Sequence, residues 1–193
     1  MITHIRGKLV EKNPTNVVID CNGVGYFLNI SLHTYGKLGN EELLQLFTHL
    51  QIKEDAHSLF GFFEKSERDV FRLLISVSGI GTGTARTMLS SLSPKQVKDA
   101  IAVGDVSTIQ SVKGIGVKTA QRVIIDLKDK VLKVHEIDEV SYISGNTNKD
   151  EALSALETLG FNRKTAEKVV GKILSKNPDA EVEEIIKEAL KNL

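Results

Sequence analysis

The chain has 193 residues, with 25 Lys/Arg balanced by 25 Asp/Glu, and 41% of it is hydrophobic, enough for the cores of one to three small domains. It has no Trp and only 5% aromatic residues, which argues against recognition by rows of stacking rings. A lone cysteine, Cys21, excludes an internal disulfide, and no apolar run approaches the roughly 20 residues that span a bilayer.

The start, MITHIRGKLVEK, lacks the apolar core of a secretory signal, so the expected location is the cytoplasm. Residues 1–64 read as strands: Ile2–Lys12, Asn16–Cys21, Gly25–Ile30, Leu43–Lys53 and Ser58–Phe63 are rich in Val, Ile, Leu and Phe. Leu44, Leu46, Leu50 and Ile52 share one face at period two. Pro14-Thr15-Asn16, Asn22-Gly23 and Gly39-Asn40 mark turns. Five short strands in this span suit a small closed barrel, of OB type by preference, although the pattern does not separate it from an SH3-like barrel.

Residues 65–133 change to helical punctuation and should form four or five short helices. Ser66 and Asp69 have the spacing of a capping box, followed by Val70, Leu73, Leu74 and Val77 at helical intervals. Ser93-Pro94-Lys95-Gln96 is a fuller start signal, with Leu92 and Val97 placed for a hydrophobic staple and Gly104 for the stop. Residues 66–133 carry eleven Lys/Arg against six Asp/Glu, the local excess expected of a polyanion-binding surface. Residues 134–149, VHEIDEVSYISGNTNK, lose periodicity and end in Ser, Gly, Asn and Thr, the composition of a flexible linker. Residues 150–193 return to helical spacing in three pieces, Glu151–Leu159, Arg163–Leu174 and Glu181–Leu190, and carry an acidic excess. A three-helix bundle is expected there.

The basic segment contains an internal repeat. SVSGIGTGTARTML from Ser76 returns as SVKGIGVKTAQRVI from Ser111. Each copy reads as a helix end, a Gly-Ile-Gly turn and a new helix. The glycines permit positive φ and close backbone approach; Ile80 and Ile115 should pin the turns to the core. The unbonded N–H groups and dipole of the next helix form an anion site. Gly79, Gly81, Gly83 and Thr84, with Arg86 for charge, are the phosphate-binding candidates of the first copy. Gly114, Gly116, Lys118, Thr119 and Arg122 are those of the second. Neither copy fits a P-loop, which needs Gly, four residues, then Gly-Lys-Ser/Thr, nor a dinucleotide fingerprint, since Thr-Ala stands where the third glycine belongs. Two turns in register suit the two backbones of one duplex, gripped without reading sequence. Structure-selective DNA binding with a strong salt dependence is expected.

The tandem turns resemble paired helix-hairpin-helix motifs. EKNPTNVVIDCNGVGYFLNIS, FTHLQIKEDAHSLFGF and GIGVKTAQRVIIDLKDK are similar to the RuvA family, DNA-binding subunits of bacterial Holliday-junction branch-migration complexes, and the similarity extends over the whole chain. The resemblance implies a four-fold tetramer, one or two per junction, that holds a four-way DNA junction open and square. It further implies recruitment of the hexameric ATPase RuvB, with the junction resolvase RuvC as a further partner. It places an acidic pin on Glu54 and Asp55 of KEDA, adjacent carboxylates that in most tight turns are merely solvated. It makes residues 150–193 the motor-binding domain, where Leu156, Leu159, Val170 and Ile173 are candidates for core or partner contact. Leu159-Gly160-Phe161 also resembles the turn of ubiquitin-associated bundles. Two positions depart from the family: Thr82-Gly83 where a Pro-Lys-like pair is expected, and Val117 where Lys is common, which predicts weaker binding or a shallower salt slope.

Two other functions compete. Helix-hairpin-helix glycosylases and lyases carry a catalytic Asp, but Asp126 and Lys130 lie four apart on a continuing helix, as an ion pair would, and no aromatic base pocket is evident. The other is a protein adaptor whose hairpins only pack. No catalytic residue, cofactor or metal site is expected, the five histidines showing no close pairing.

Overall fold

A computed structural model describes residues 1–39, 41–140, 147–178 and 180–193. The chain divides into two compact units, Met1–Val134 and His135–Leu193.

In the first unit five strands close a barrel: β1 (His4–Asn13), β2 (Asn16–Cys21), β3 (Val24–Asn29), β4 (Leu43–Ile52) and β5 (His57–Phe62), in the order β1-β2-β3-β5-β4. All pairs are antiparallel except β3 with β5, which meet in parallel at Asn29 and Phe60. This order and the short helix α1 (Leu32–Lys37) between β3 and β4 make the barrel OB-type. Period two does the sorting: Val17, Ile19, Leu28, Leu44 and Leu46 point inward and are buried. Asn22 and Gly23, both at positive φ, form the two-residue hairpin between β2 and β3. Gly7 is required by contact, since a Cβ there would stand 2.1 Å from the Asp20 carbonyl oxygen.

Helix α1 has no apolar period and carries Gly36 and the β-branched Thr34, so no pattern announces it. Its start is local chemistry: the Ser31 hydroxyl accepts from the Thr34 amide. Five further helices follow: α2 (Lys65–Ile75), α3 (Thr82–Ser91), α4 (Pro94–Val103), α5 (Val106–Gln110) and α6 (Val117–Val140). Ser93 and Gln96 close the expected capping box of α4, and Gly104 ends it at φ 81°. The box expected at Ser66 and Asp69 is absent. Helix α2 begins two residues earlier, behind Glu64, whose carboxylate is drawn off to Lys37 at 2.6 Å and caps nothing. Asp69 lies instead 3.5 Å from the Arg68 guanidinium.

The barrel interior has its own core, and the helices pack on the barrel in a second one that takes in Phe60 and Phe62 of β5. Phe71 of α2 is fully buried against Phe60 and Phe62 of β5, with ring centroids 5.2 and 4.9 Å away. Val70, Leu74, Val77, Leu89, Ile101, Val123 and Leu127 extend that core through the hairpin helices.

The expected linker over 134–149 is corrected at both ends. Helix α6 continues to Val140, and α7 (Thr147–Thr158) begins before Asn148. VHEIDEV contains no Gly or Pro to stop a helix. Residues 141–146 of that linker lie outside the described residues. The second unit packs α7, α8 (Arg163–Lys176) and α9 (Val182–Ala189) around Leu153, Leu156, Val170 and Ile185. Gly160, at φ 95°, turns α7 into α8, and Asn162 caps the latter.

Candidate nucleic-acid interface

The two Gly-Ile-Gly turns fold alike. In the first, Ser76 caps the end of α2, Gly79 takes φ 95°, and the Ile80 amide donates to the Val77 carbonyl at 3.0 Å. In the second, Gly114 takes φ 91° and the Ile115 amide donates to the Val112 carbonyl at 3.1 Å. Ile80 and Ile115 are buried, 5% and 6% exposed, as the inward pins the sequence suggests. The two glycines of each turn have different tasks. Gly79 and Gly114 supply the left-handed backbone, whereas Gly81 is an extended N-cap at φ −85°. A Cβ at Gly81, Gly83 or Gly116 would meet nothing, so these three leave open space in front of a helix start.

The first intrahelical bonds run from Ala85 to Gly81 and from Ala120 to Gly116, each 2.9 Å. The amides of residues 82–84 and 117–119 precede them and point out of the turns, where the helix dipole favours an anion. Gly81, Gly83, Gly116 and Lys118 are exposed, and Thr84 and Thr119 are half-buried in the first turns.

Charge is divided unevenly between the hairpins. Lys118 is exposed and Arg122 is 56% exposed, its Nε 3.6 Å from the Asp126 carboxylate. Asp126 therefore pairs with Arg122 rather than with Lys130, the partner that spacing suggested. Lys113, exposed in the second loop, adds a cation that attention to the helix starts missed; it replaces Ser78 of the first copy. Arg86 differs from its expected role. It is half-buried and donates to the Asn29 side-chain oxygen at 2.9 Å and the Thr15 carbonyl at 3.3 Å, both on the barrel. Spacing shows that Arg86 is a cation near a turn but not which neighbour its face of α3 meets.

Glu54 and Asp55 occupy the tip of the β4–β5 hairpin, exposed, in a turn closed by the Lys53 amide donating to the Ala56 carbonyl at 2.8 Å. In the second unit Leu156, Val170 and Ile173 are buried core, whereas Leu159, beside Gly160, is 59% exposed and available for contact. No described helix is long and apolar enough to cross a membrane.

An OB-type barrel joined to two equivalent helix-hairpin-helix turns, with a separate three-helix unit, defines a multidomain protein of the tandem helix-hairpin-helix class. The chain matches the family models of the RuvA N-terminal domain over residues 1–61, a SAM-like helix-hairpin-helix tandem over 71–129 and the RuvA C-terminal domain over 147–193. It is 71% identical, over the full length of both chains, to the Holliday junction branch migration complex subunit RuvA of Flavobacterium psychrophilum. It is 66% identical to the subunit of that name from Christiangramia forsetii, again over the full length of both, and 50% identical to that of Cytophaga hutchinsonii over 99% of each. The chain belongs to the RuvA family.

Proposed function

We propose that this chain is the non-catalytic, junction-binding subunit of a Holliday-junction branch-migration complex, working with the ATPase RuvB in recombination and repair. The observation that carries this reading is the pair of hairpins with the same bonds, the same left-handed glycine and the same open helix start. Phosphates of a DNA arm sit against the amides of residues 82–84 and 117–119. Gly79, Gly81, Gly83 and Thr84 shape the first seat, and Gly114, Gly116, Lys118, Thr119 and Arg122 the second. Contacts to backbone amides position the arm without reading bases, which suits a protein that must hold junctions of any sequence.

Four copies of the chain around a junction bring four Glu54-Asp55 turns together. Such a centre repels phosphates, keeps continuous duplex from crossing it and favours open, separated strands. The tetramer, alone or paired on the other face of the junction, works in the cytoplasm. The three-helix unit presents Leu159 to the motor, and RuvC resolves the held junction.

The test is branch migration of a labelled four-way junction by a RuvB hexamer with ATP. The full chain should accelerate strand separation at limiting motor, and deletion of residues 147–193 should abolish the acceleration while junction binding persists. Equal motor rates with and without the chain contradict the proposal.

A further inference from the structure

Helix α3 carries a polar stripe that faces the barrel rather than the hairpin opening. Thr82, Arg86 and Ser90 are spaced four apart and so lie along one side of the helix. Each is half-buried and each bonds to a different part of the barrel. The Thr82 hydroxyl donates to the Gln51 side-chain oxygen at 3.0 Å, on β4. Arg86 donates to Asn29 at the end of β3 and to the Thr15 carbonyl in the β1–β2 turn. The Ser90 hydroxyl accepts from the Leu32 amide at 3.1 Å, at the start of α1, while donating to the Arg86 carbonyl.

The second hairpin lacks this stripe. Its equivalent positions are Val117, Gln121 and Ile125, all exposed, Val117 by 45% and Ile125 by 77%. The repeat has therefore diverged on one helix face and kept its turn. One copy is keyed to the barrel and has its cation engaged there; the other has a free surface and exposed cations at Lys113, Lys118 and Arg122.

The position of the Thr82 bond gives the stripe a use. Gln51, one residue from the end of β4, stands three residues before Glu54 in the turn that follows. Thr82 is the first residue of α3, beside the amides that face a phosphate. One hydrogen bond thus ties the first hairpin's open end to the strand that ends in the acidic turn.

We propose that Thr82, Arg86 and Ser90 are positioning residues: they fix the phosphate seat of the first hairpin relative to the Glu54-Asp55 turn, and this spacing selects four-way junctions over linear duplex, whereas the second hairpin supplies the general attraction to DNA. This inference rests on the junction-binding reading above. A linear duplex engages a hairpin pair whether or not the turn is held at a set distance. A junction must satisfy hairpins and turn together, so only its affinity depends on the tie.

The test measures dissociation constants for a four-way junction and for linear duplex at one salt concentration, on full-length chains. Gln51→Leu should lower the junction-over-duplex preference about five-fold, the worth of one ordinary hydrogen bond, and leave duplex affinity unchanged. Thr82→Val should lower the preference equally, the double variant no further, and Thr82→Ser, which keeps the hydroxyl, should retain the wild-type ratio. Preference unchanged in Gln51→Leu, additive losses in the double variant, or parallel loss of both affinities would overturn the positioning role. A wild-type chain with no junction preference would instead remove the junction-binding reading itself.

Discussion

Gly79 and Gly81 sit two residues apart and fail differently when replaced. At φ 95° a Cβ on Gly79 is strained whatever the space around it, so Gly79→Ala should lower stability by about 1–2 kcal/mol. Gly81 is extended and a Cβ there meets nothing in the protein, so Gly81→Ala should cost less than about 1 kcal/mol, the penalty of a poorer N-cap. Its methyl group would instead occupy the space a phosphate needs. Thermal unfolding beside junction binding separates the two: Gly79→Ala should lose melting temperature, and Gly81→Ala should lose affinity with melting temperature nearly kept. Equal behaviour of the two variants would contradict the assignment. These roles are legible in part from sequence. The repeat marks both glycines, because turn and open approach each need a missing side chain, but only the backbone tells which glycine does which. Arg86 was legible as a cation and not as a barrel ligand, because its partners Asn29 and Thr15 are more than fifty residues away in the chain.

Helices α1 and α2 meet over a buried carboxylate. Glu67 is fully buried and accepts from the hydroxyls of Ser31 and Thr34, while Thr34 accepts from the Phe63 amide at 3.0 Å. Burial pushes the Glu67 carboxyl above the ordinary range, against the two hydroxyls and the charges of His33 and Lys37, which favour the anion. The folded chain therefore holds this proton more tightly than the unfolded one. The resulting stability is complete below the unfolded value, about 4.3, and is lost as pH rises through the folded value. Urea unfolding across pH 4 to 8 should show the advantage of wild type over Glu67→Gln shrinking as pH rises and then levelling. A pH-independent difference would contradict the raised carboxyl. The contact also explains what the sequence hid. Strands and the α4 box were readable because period two and Ser-Pro-x-Gln are local signals. Helix α1 and the early start of α2 depend on groups some thirty residues apart, Ser31 and Thr34 with Glu67, and Lys37 with Glu64.

Over the whole molecule a net charge of zero conceals a division of labour. The basic excess lies with the hairpins, the acidic excess with the three-helix unit, and Glu54 and Asp55 sit exposed at the β4–β5 tip. On the proposed function, such a distribution would direct DNA to the hairpins and leave the three-helix unit for a protein partner. The domain order was legible because each segment has its own periodicity. The end of α6 was not, because a charged helix without caps reads like a linker. On the proposed function, the hairpins and the acidic turn together select a four-way junction. The measurement that tests it most directly is competition between a labelled immobile junction and linear duplex of the same length and sequence, at fixed moderate salt, for wild type and Lys118→Glu. A junction preference of orders of magnitude, with affinity sharply reduced by Lys118→Glu, is the expected result. Equal affinity for the two DNAs, or binding indifferent to Lys118, would contradict it.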